Sequence, residues 1–346
     1  MACWNSIILM ALTVAAGAGR PAPIQDDWSQ RLCPSDSAQG GTPLDPFSRL
    51  TMGPHSDLVE RPGHFCGLDD EGILRRLRHG RIRSMRFNKG GLSISFRMGL
   101  QGTRALFKPT QVEQHSIPRK EIVAYRLNRL LGLSRVPPAT ARPVSMTTYY
   151  RNTDDGAALR HKMLAGLRLY DWSMHGTLSW WIPRIKFLQI HQPSLYSRWS
   201  RWLLAGRRIP PAGYERAGQI SRMITFDFLM NNQDRFSGSN VVATPDGRHV
   251  YFMDNALSLF PNPTGRFRSR TIFLSIQRFS ISLVQAIGHL TKQGLTKALA
   301  KEPNGCWTFL ISPRELDALF HRRALIMNRV AELIIRYGWD QVMVFP

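Results

Sequence analysis

Three apolar segments of this chain each deliver an ionisable side chain to an element end or a loop, and their order restricts the fold more than any other feature. Thr103-Arg104-Ala105-Leu106-Phe107 reads as a strand that runs into Lys108. Glu121 follows thirteen residues later, near the start of a helix expected from about Pro118 to Leu131. Pro suits the first helical position there, and Gly132 suits the end. A second helix, from about Glu215 to Met230, runs into the polar loop Asn231-Asn232-Gln233-Asp234-Arg235. Val250-Tyr251-Phe252-Met253 is then an apolar strand that hands Asp254-Asn255 to a loop. Taken singly, each group has a plain explanation. A strand-end Lys can snorkel to the surface. A Glu near a helix start is favoured by the helix dipole, and Asp is common in turns and caps. It is the set, in this order, that points to chemistry.

The remaining pattern supplies a frame. Asp69 can cap a short helix that Gly80 ends. Arg81 to Phe87 reads as a strand and Asn88-Lys89-Gly90-Gly91 as a turn. Leu92, Ile94 and Phe96 alternate with polar residues, the period of a half-buried strand, and Gly99-Leu100-Gln101-Gly102 is the next turn. Strands Asn240 to Ala243 and His249 to Met253 flank a Pro245-Asp246-Gly247 turn. Near the C-terminus, Ser312-Pro313-Arg314-Glu315 is a capping box that opens a helix ended by Gly338. A small antiparallel sheet with one helix, followed by a mostly helical second half, predicts an α+β, two-lobed fold with a cleft between the lobes. The folded domain is expected over 67–346, with lobes of about 67–140 and 141–346. Residues 20–66 hold seven prolines without a sustained period and read as an irregular leader.

Lys plus Arg is 46 against 24 for Asp plus Glu, a net charge of +22. That surplus favours anionic partners. Ten Lys/Arg and no acid lie between Glu71 and Glu113, densest at Arg75, Arg76, Arg78, Arg81, Arg83 and Arg86. A second acid-free stretch, from Asp254 to Glu302, carries Arg266, Arg268 and Arg270. Either is a site for an acidic group or a solvated face. Residues 172–202 hold five of the nine tryptophans, a mixed hairpin and helix region that packs in a core or stacks sugars.

Residues 7–19, IILMALTVAAGAG, are too short for a spanning helix of ~20 residues. Small residues follow the apolar part, as at a signal-peptidase site, so 1–19 reads as a signal peptide and the protein as exported. No transmembrane segment is expected beyond it. Of the cysteines left after cleavage, Cys33 and Cys66 either pair or stay reduced.

Phosphoryl transfer needs a cation to grip the nucleotide phosphates, a carboxylate to take the proton of the attacking hydroxyl, and oxygen ligands for a divalent metal. Lys108 held by Glu121 can supply the grip, Asp234 the proton acceptor, and Asp254 with Asn240 the metal ligands. Gly90 and Gly91 are candidates for a phosphate-covering loop. Four stretches also resemble the secretory-pathway atypical kinases, the family of the Golgi casein kinase, the xylosyl kinase and Four-jointed, with their bacterial relatives. They are Ala105 to Pro109, Glu121 to Leu131, Arg135-Val136-Pro137-Pro138, and Phe226 to Arg235 with Asp254-Asn255. The resemblance implies a kinase fold, ATP with Mg²⁺ or Mn²⁺, Lys108 and Glu121 as the phosphate-gripping pair, Asp234 as the catalytic acid-base residue and Asp254 as metal ligand. The acceptor expected is a protein Ser/Thr or sugar hydroxyl, on an acidic or hydroxyl-bearing substrate. The run 254–261 is also similar to type II phosphoinositide kinases, which leaves a lipid head group open. Nucleic acid is not among the expected partners. The rival reading is a non-catalytic basic binding protein on a degenerate kinase fold.

Overall fold

The computed structural model describes residues 63–89, 93–112, 116–236, 240–303 and 305–346. The expected signal peptide, the leader up to residue 62, Cys33 and the Gly90-Gly91 pair lie outside them. A small hairpin of β1 (His64–Phe65) and β2 (Leu68–Asp69) opens the described chain. Asp69 caps α1 (Asp70–His79) by accepting the Gly72 N–H at 2.7 Å. Ile73, Leu74 and Leu77 are buried at helical spacing, whereas Arg75 and Arg76 are exposed.

An antiparallel meander of β3 (Ile82–Phe87), β4 (Phe96–Leu100) and β5 (Thr103–Pro109) comes next. The strand expected from Leu92 thus starts only at Phe96. Gly99 and Leu100 extend β4, leaving Gln101-Gly102 as the turn, with Gly102 at φ 76°. Then come α2 (Arg119–Leu130), β6 (Ala139–Ser145), α3 (Met146–Asn152), α4 (Ala157–Gly166), β7 (Leu169–Tyr170) and β8 (Ser173–Trp180). The sheet order is β3-β4-β5-β8-β6, with β7 beside β8.

The sheet takes in strands on both sides of residue 140. β8 pairs with β5 and β6 pairs with β8, so the sheet lobe runs to Trp180. Without β8, the strand that carries Lys108 would have an unpaired edge. Gly176 is what lets the two strands meet beside that lysine, since a Cβ there would lie 2.3 Å from the Lys108 carbonyl oxygen.

The helical lobe contains β9 (Lys186–Phe187), α5 (Pro193–Trp202), α6 (Pro211–Met230), β10 (Val241–Ala243) and β11 (Val250–Phe252). It ends with α7 (Phe267–Leu274), α8 (Ile281–His289), α9 (Lys292–Leu299), α10 (Pro313–Tyr337) and α11 (Trp339–Val342). Trp180 and Trp199 pack in the core, whereas Trp172 is exposed. The capping box of α10 forms as expected. Helix α6 is buried along most of its length and stops at Asn231, which takes the left-handed conformation at φ 52° and turns the chain into the polar loop. Arg322 of α10, fully buried, donates to the carbonyls of Leu229 at 3.0 Å and Asn262 at 2.6 Å. It thereby ties the end of α6 to the segment that follows Asp254. Among the described residues no helix is long and apolar enough to cross a membrane.

Candidate active site

Lys108 sits near the end of β5, between the buried Phe107 and Pro109, and its own side chain is buried there. Its Nζ donates to Glu121 Oε1 at 2.7 Å and to Asp254 Oδ1 at 2.7 Å. One ammonium therefore joins a strand, a helix and the loop after β11. Burial works to lower the Lys108 pKa, but the charges of Asp254 and Glu121 outweigh it and hold the group above the ordinary lysine range. Glu121 is itself fixed by the Asn255 backbone N–H, which lies 3.1 Å from both carboxylate oxygens.

Asp254 has φ 53°, a left-handed backbone that aims its side chain back toward Lys108. Desolvation pushes its carboxyl upward, yet the adjacent ammonium brings it below the usual carboxylate range. Its side chain keeps 44% exposure, so the ionised carboxylate is partly open to solvent.

The loop after α6 is held from beneath by Arg235, which is 1% exposed. Its guanidinium grips Asp227 of α6 through Nε (3.0 Å to Oδ2) and Nη2 (3.0 Å to Oδ1). Nη2 also donates to Asn255 Oδ1 at 2.8 Å, and Nη1 to the carbonyls of Asn240, at 3.0 Å, and Met253. One buried cation thus sets the two loops side by side. Asn232 Oδ1 accepts the Asp234 N–H at 3.0 Å, and Asn232 Nδ2 donates to Asn255 Oδ1 at 3.3 Å. Asn240 Nδ2 donates to the Asp234 carbonyl at 2.9 Å and to Asp234 Oδ2 at 3.0 Å. The residues singled out in the sequence therefore fall into two contact groups. Lys108 touches both Glu121 and Asp254, Asp234 and Asn240 touch each other, and Arg235 reaches Asn240 on one side and the neighbours of Asp254, Met253 and Asn255, on the other.

Asn232, Asn255, Asp227 and Arg235 had no role in the reading of the residues themselves. A signal for one of them was present. Asp227 stands between Phe226 and Phe228 in an apolar helix, and a carboxylate buried there requires a cationic partner.

An ionised Asp254 carboxylate and the Asn240 amide oxygen are oxygen donors. They suit a hard divalent cation that completes its shell from phosphate oxygens and water. Among the described residues, no three His, Cys, Asp or Glu side chains gather into a metal cage. Beside the Asp234 loop, a cavity of about 270 Å³ is lined by His191, Tyr196, Phe236, Phe267 and Arg268, with Phe236 two residues from Asp234.

No protein-family model matches the chain. It is similar to the glycosaminoglycan xylosylkinase of Homo sapiens, at 22% identity over 292 residues, which cover 70% of this chain and 69% of that protein. Its fold is similar to the crystal structure of the Golgi casein kinase with Mn/ADP bound, with TM-score 0.62 and 16% identity over 80% of this chain and 78% of that one. The structure of hydra Fam20 with sugar aligns with TM-score 0.60 and 19% identity, covering 79% and 91%. The resemblance read from the sequence is borne out, and the fold is kinase-like with mixed helices and antiparallel sheets.

Proposed function

We propose that this protein is an exported, ATP-dependent kinase that transfers the γ-phosphoryl group to a hydroxyl, with a sugar as the acceptor. The observation that carries this reading is the double ion pair of Lys108 with Glu121 and Asp254. It puts a phosphate-gripping cation beside the carboxylate suited to a phosphate-bridging metal. In this reading Asp254 and Asn240 hold Mg²⁺ or Mn²⁺, which neutralises charge on the phosphates when bound. Asp234 orients the acceptor hydroxyl and takes its proton.

The sugar acceptor is supported by the likeness to a xylosylkinase and by the cavity beside Asp234. The rings of Tyr196, Phe236 and Phe267 suit the faces of a sugar, and Arg268 is braced by donating to the Phe236 carbonyl at 2.8 Å. The apolar run 7–19 supports export, and the mature protein should begin near residue 20 by mass spectrometry. Purified protein with labelled ATP and Mg²⁺ or Mn²⁺ tests the function against glycan, protein and lipid pools. Label in the glycan pool that disappears with Asp234→Asn is the expected result. Label only in protein or lipid would move the acceptor class, and no metal-dependent transfer to any pool would overturn the reading.

A further inference from the structure

We infer that Glu302 and Glu315 are positioning residues that clamp the Glu121-bearing helix α2, so that the Lys108–Glu121 grip is held assembled by ion pairs internal to the chain. The inference rests on the kinase reading for its functional meaning. Arg119, the first residue of α2, donates through Nη1 and Nη2 to the two oxygens of Glu315 at 2.8 and 2.9 Å, and through Nη1 to the Leu310 carbonyl at 2.6 Å. Glu315 is buried and also accepts the Ser312 N–H at 2.8 Å as the third residue of α10. Two turns along α2, Arg126 Nε donates to Glu302 Oε1 at 2.6 Å, and Nη2 contacts the same oxygen. The Glu302 side chain is fully buried. Its other oxygen takes Arg78 Nη2 of α1 at 2.8 Å and the Thr140 hydroxyl of β6 at 3.1 Å.

The spacing explains the division of labour. Residues 119 and 126 lie seven apart, close to two turns, and share one flank of the helix. Glu121 lies two residues from Arg119, ~200° around the axis, and points into the cleft. Lys120, between them, adds a contact from the segment after Asp254, its Nζ lying 4.2 Å from the Phe260 ring centroid. Neither Glu302 nor Glu315 touches Lys108, Glu121, Asp234 or Asp254 in the contacts described. Both carboxylates come from the stretch after α9, and both engage α2. Swinging α2 outward would break the Arg119 fork and leave buried Glu302 with only Arg78 and Thr140 as partners in the contacts described.

The test is amide hydrogen exchange on the full chain, for the unchanged protein, Glu302→Gln, Glu315→Gln and the control Asp317→Asn. Gln still serves the capping box, so Glu315→Gln removes charge without removing the cap of α10. Asp317 pairs with Lys292 at an exposed site and should change nothing. The expected result is that residues 119–130 exchange faster by roughly tenfold or more in both Glu variants, less than the full loss of a buried partner because Gln keeps a hydrogen-bonding oxygen. The middle of α10 should keep its protection, and the KM for ATP should rise. Arg119→Gln added to Glu315→Gln should cost less than the sum of the two single changes, because both act on one pair and only the Leu310 carbonyl contact is lost in addition. If a Glu variant fails to fold, Arg119→Lys, which keeps the charge but breaks the fork, is read in the same way. Unchanged exchange in α2, or faster exchange spread evenly over the chain, would overturn the clamp. A chain that transfers no phosphate but loosens α2 in these variants would remove the kinase reading and leave the clamp. A chain that transfers phosphate with α2 unaffected would do the reverse.

Discussion

Lys108 and Asp254, 146 residues apart in sequence, are joined by a 2.7 Å ion pair that ties the end of a sheet strand to the loop after β11. The same ammonium holds Glu121 at 2.7 Å. The Glu121 and Asp254 carboxylates therefore share one cation, and changes at any of the three should be felt at the other two.

Lys108→Met should abolish tight binding of metal-ADP and also destabilise the fold. The change leaves Glu121 buried without its counter-ion, and breaking such a pair typically costs about 3–5 kcal/mol. The Asn255 N–H still holds Glu121, which places the expected cost at the low end. Calorimetric titration with metal-ADP and urea unfolding read the two effects separately. Nucleotide binding at the unmutated affinity would remove Lys108 from the grip.

The two acids should separate by assay. Asp254→Asn should lose metal-dependent nucleotide binding together with turnover. It should stay folded, because Asn tolerates the left-handed backbone that Asp254 adopts. Asp234→Asn should keep most nucleotide binding and lose turnover by roughly 10²–10⁴-fold, the scale of a general acid-base residue. Equal nucleotide affinity in the two variants would undo this assignment.

Arg235 should matter for folding and for turnover through different atoms. Arg235→Met leaves Asp227 buried and unpaired, a loss of about 3–5 kcal/mol. Adding Asp227→Leu should recover much of that stability. It should not recover turnover, because the guanidinium no longer holds the Met253 carbonyl and Asn255 Oδ1 keeps only the longer bond from Asn232. Recovery of both in the double variant would show that the guanidinium serves only to neutralise Asp227.

His249 should make the fold acid-sensitive. Its pKa is lowered to about 3, first by burial and then by the charge of Arg135. The unfolded chain takes up a proton near pH 6.5 while the folded chain resists until about pH 3. Stability from this group is therefore complete above pH 6.5 and is lost as pH falls through that window, by up to ~1.4 kcal/mol per pH unit. Urea midpoints between pH 7 and pH 5 should fall less steeply for His249→Phe. Parallel curves for the two proteins would place the acid sensitivity elsewhere.

The kinase-like order was legible because it is written in local patterns. Lys108 closes an apolar strand, Glu121 opens a helix, and Asp254 lies two residues beyond the buried strand Val250–Phe252. The β6 and β8 additions to the sheet were not legible, since strand pairing depends on partners distant along the chain. Among the described residues the same holds for β4: alternation at Ile94 and Phe96 satisfies a strand period, but the ladder with β3 and β5 begins at Phe96.

The sequence by itself determined which side chains carry charge and which element ends deliver them, because helix and strand periods, caps and turns act over a few residues. Tertiary structure alone decided how those charges share partners. Nothing in local patterning says that Lys108 reaches both Glu121 and Asp254, that Arg235 braces Asn255, or that Glu302 and Glu315 hold α2. A buried charge takes whichever opposite charge packing brings within hydrogen-bond reach, and the cost of leaving it unpaired in a low-dielectric interior makes that choice binding.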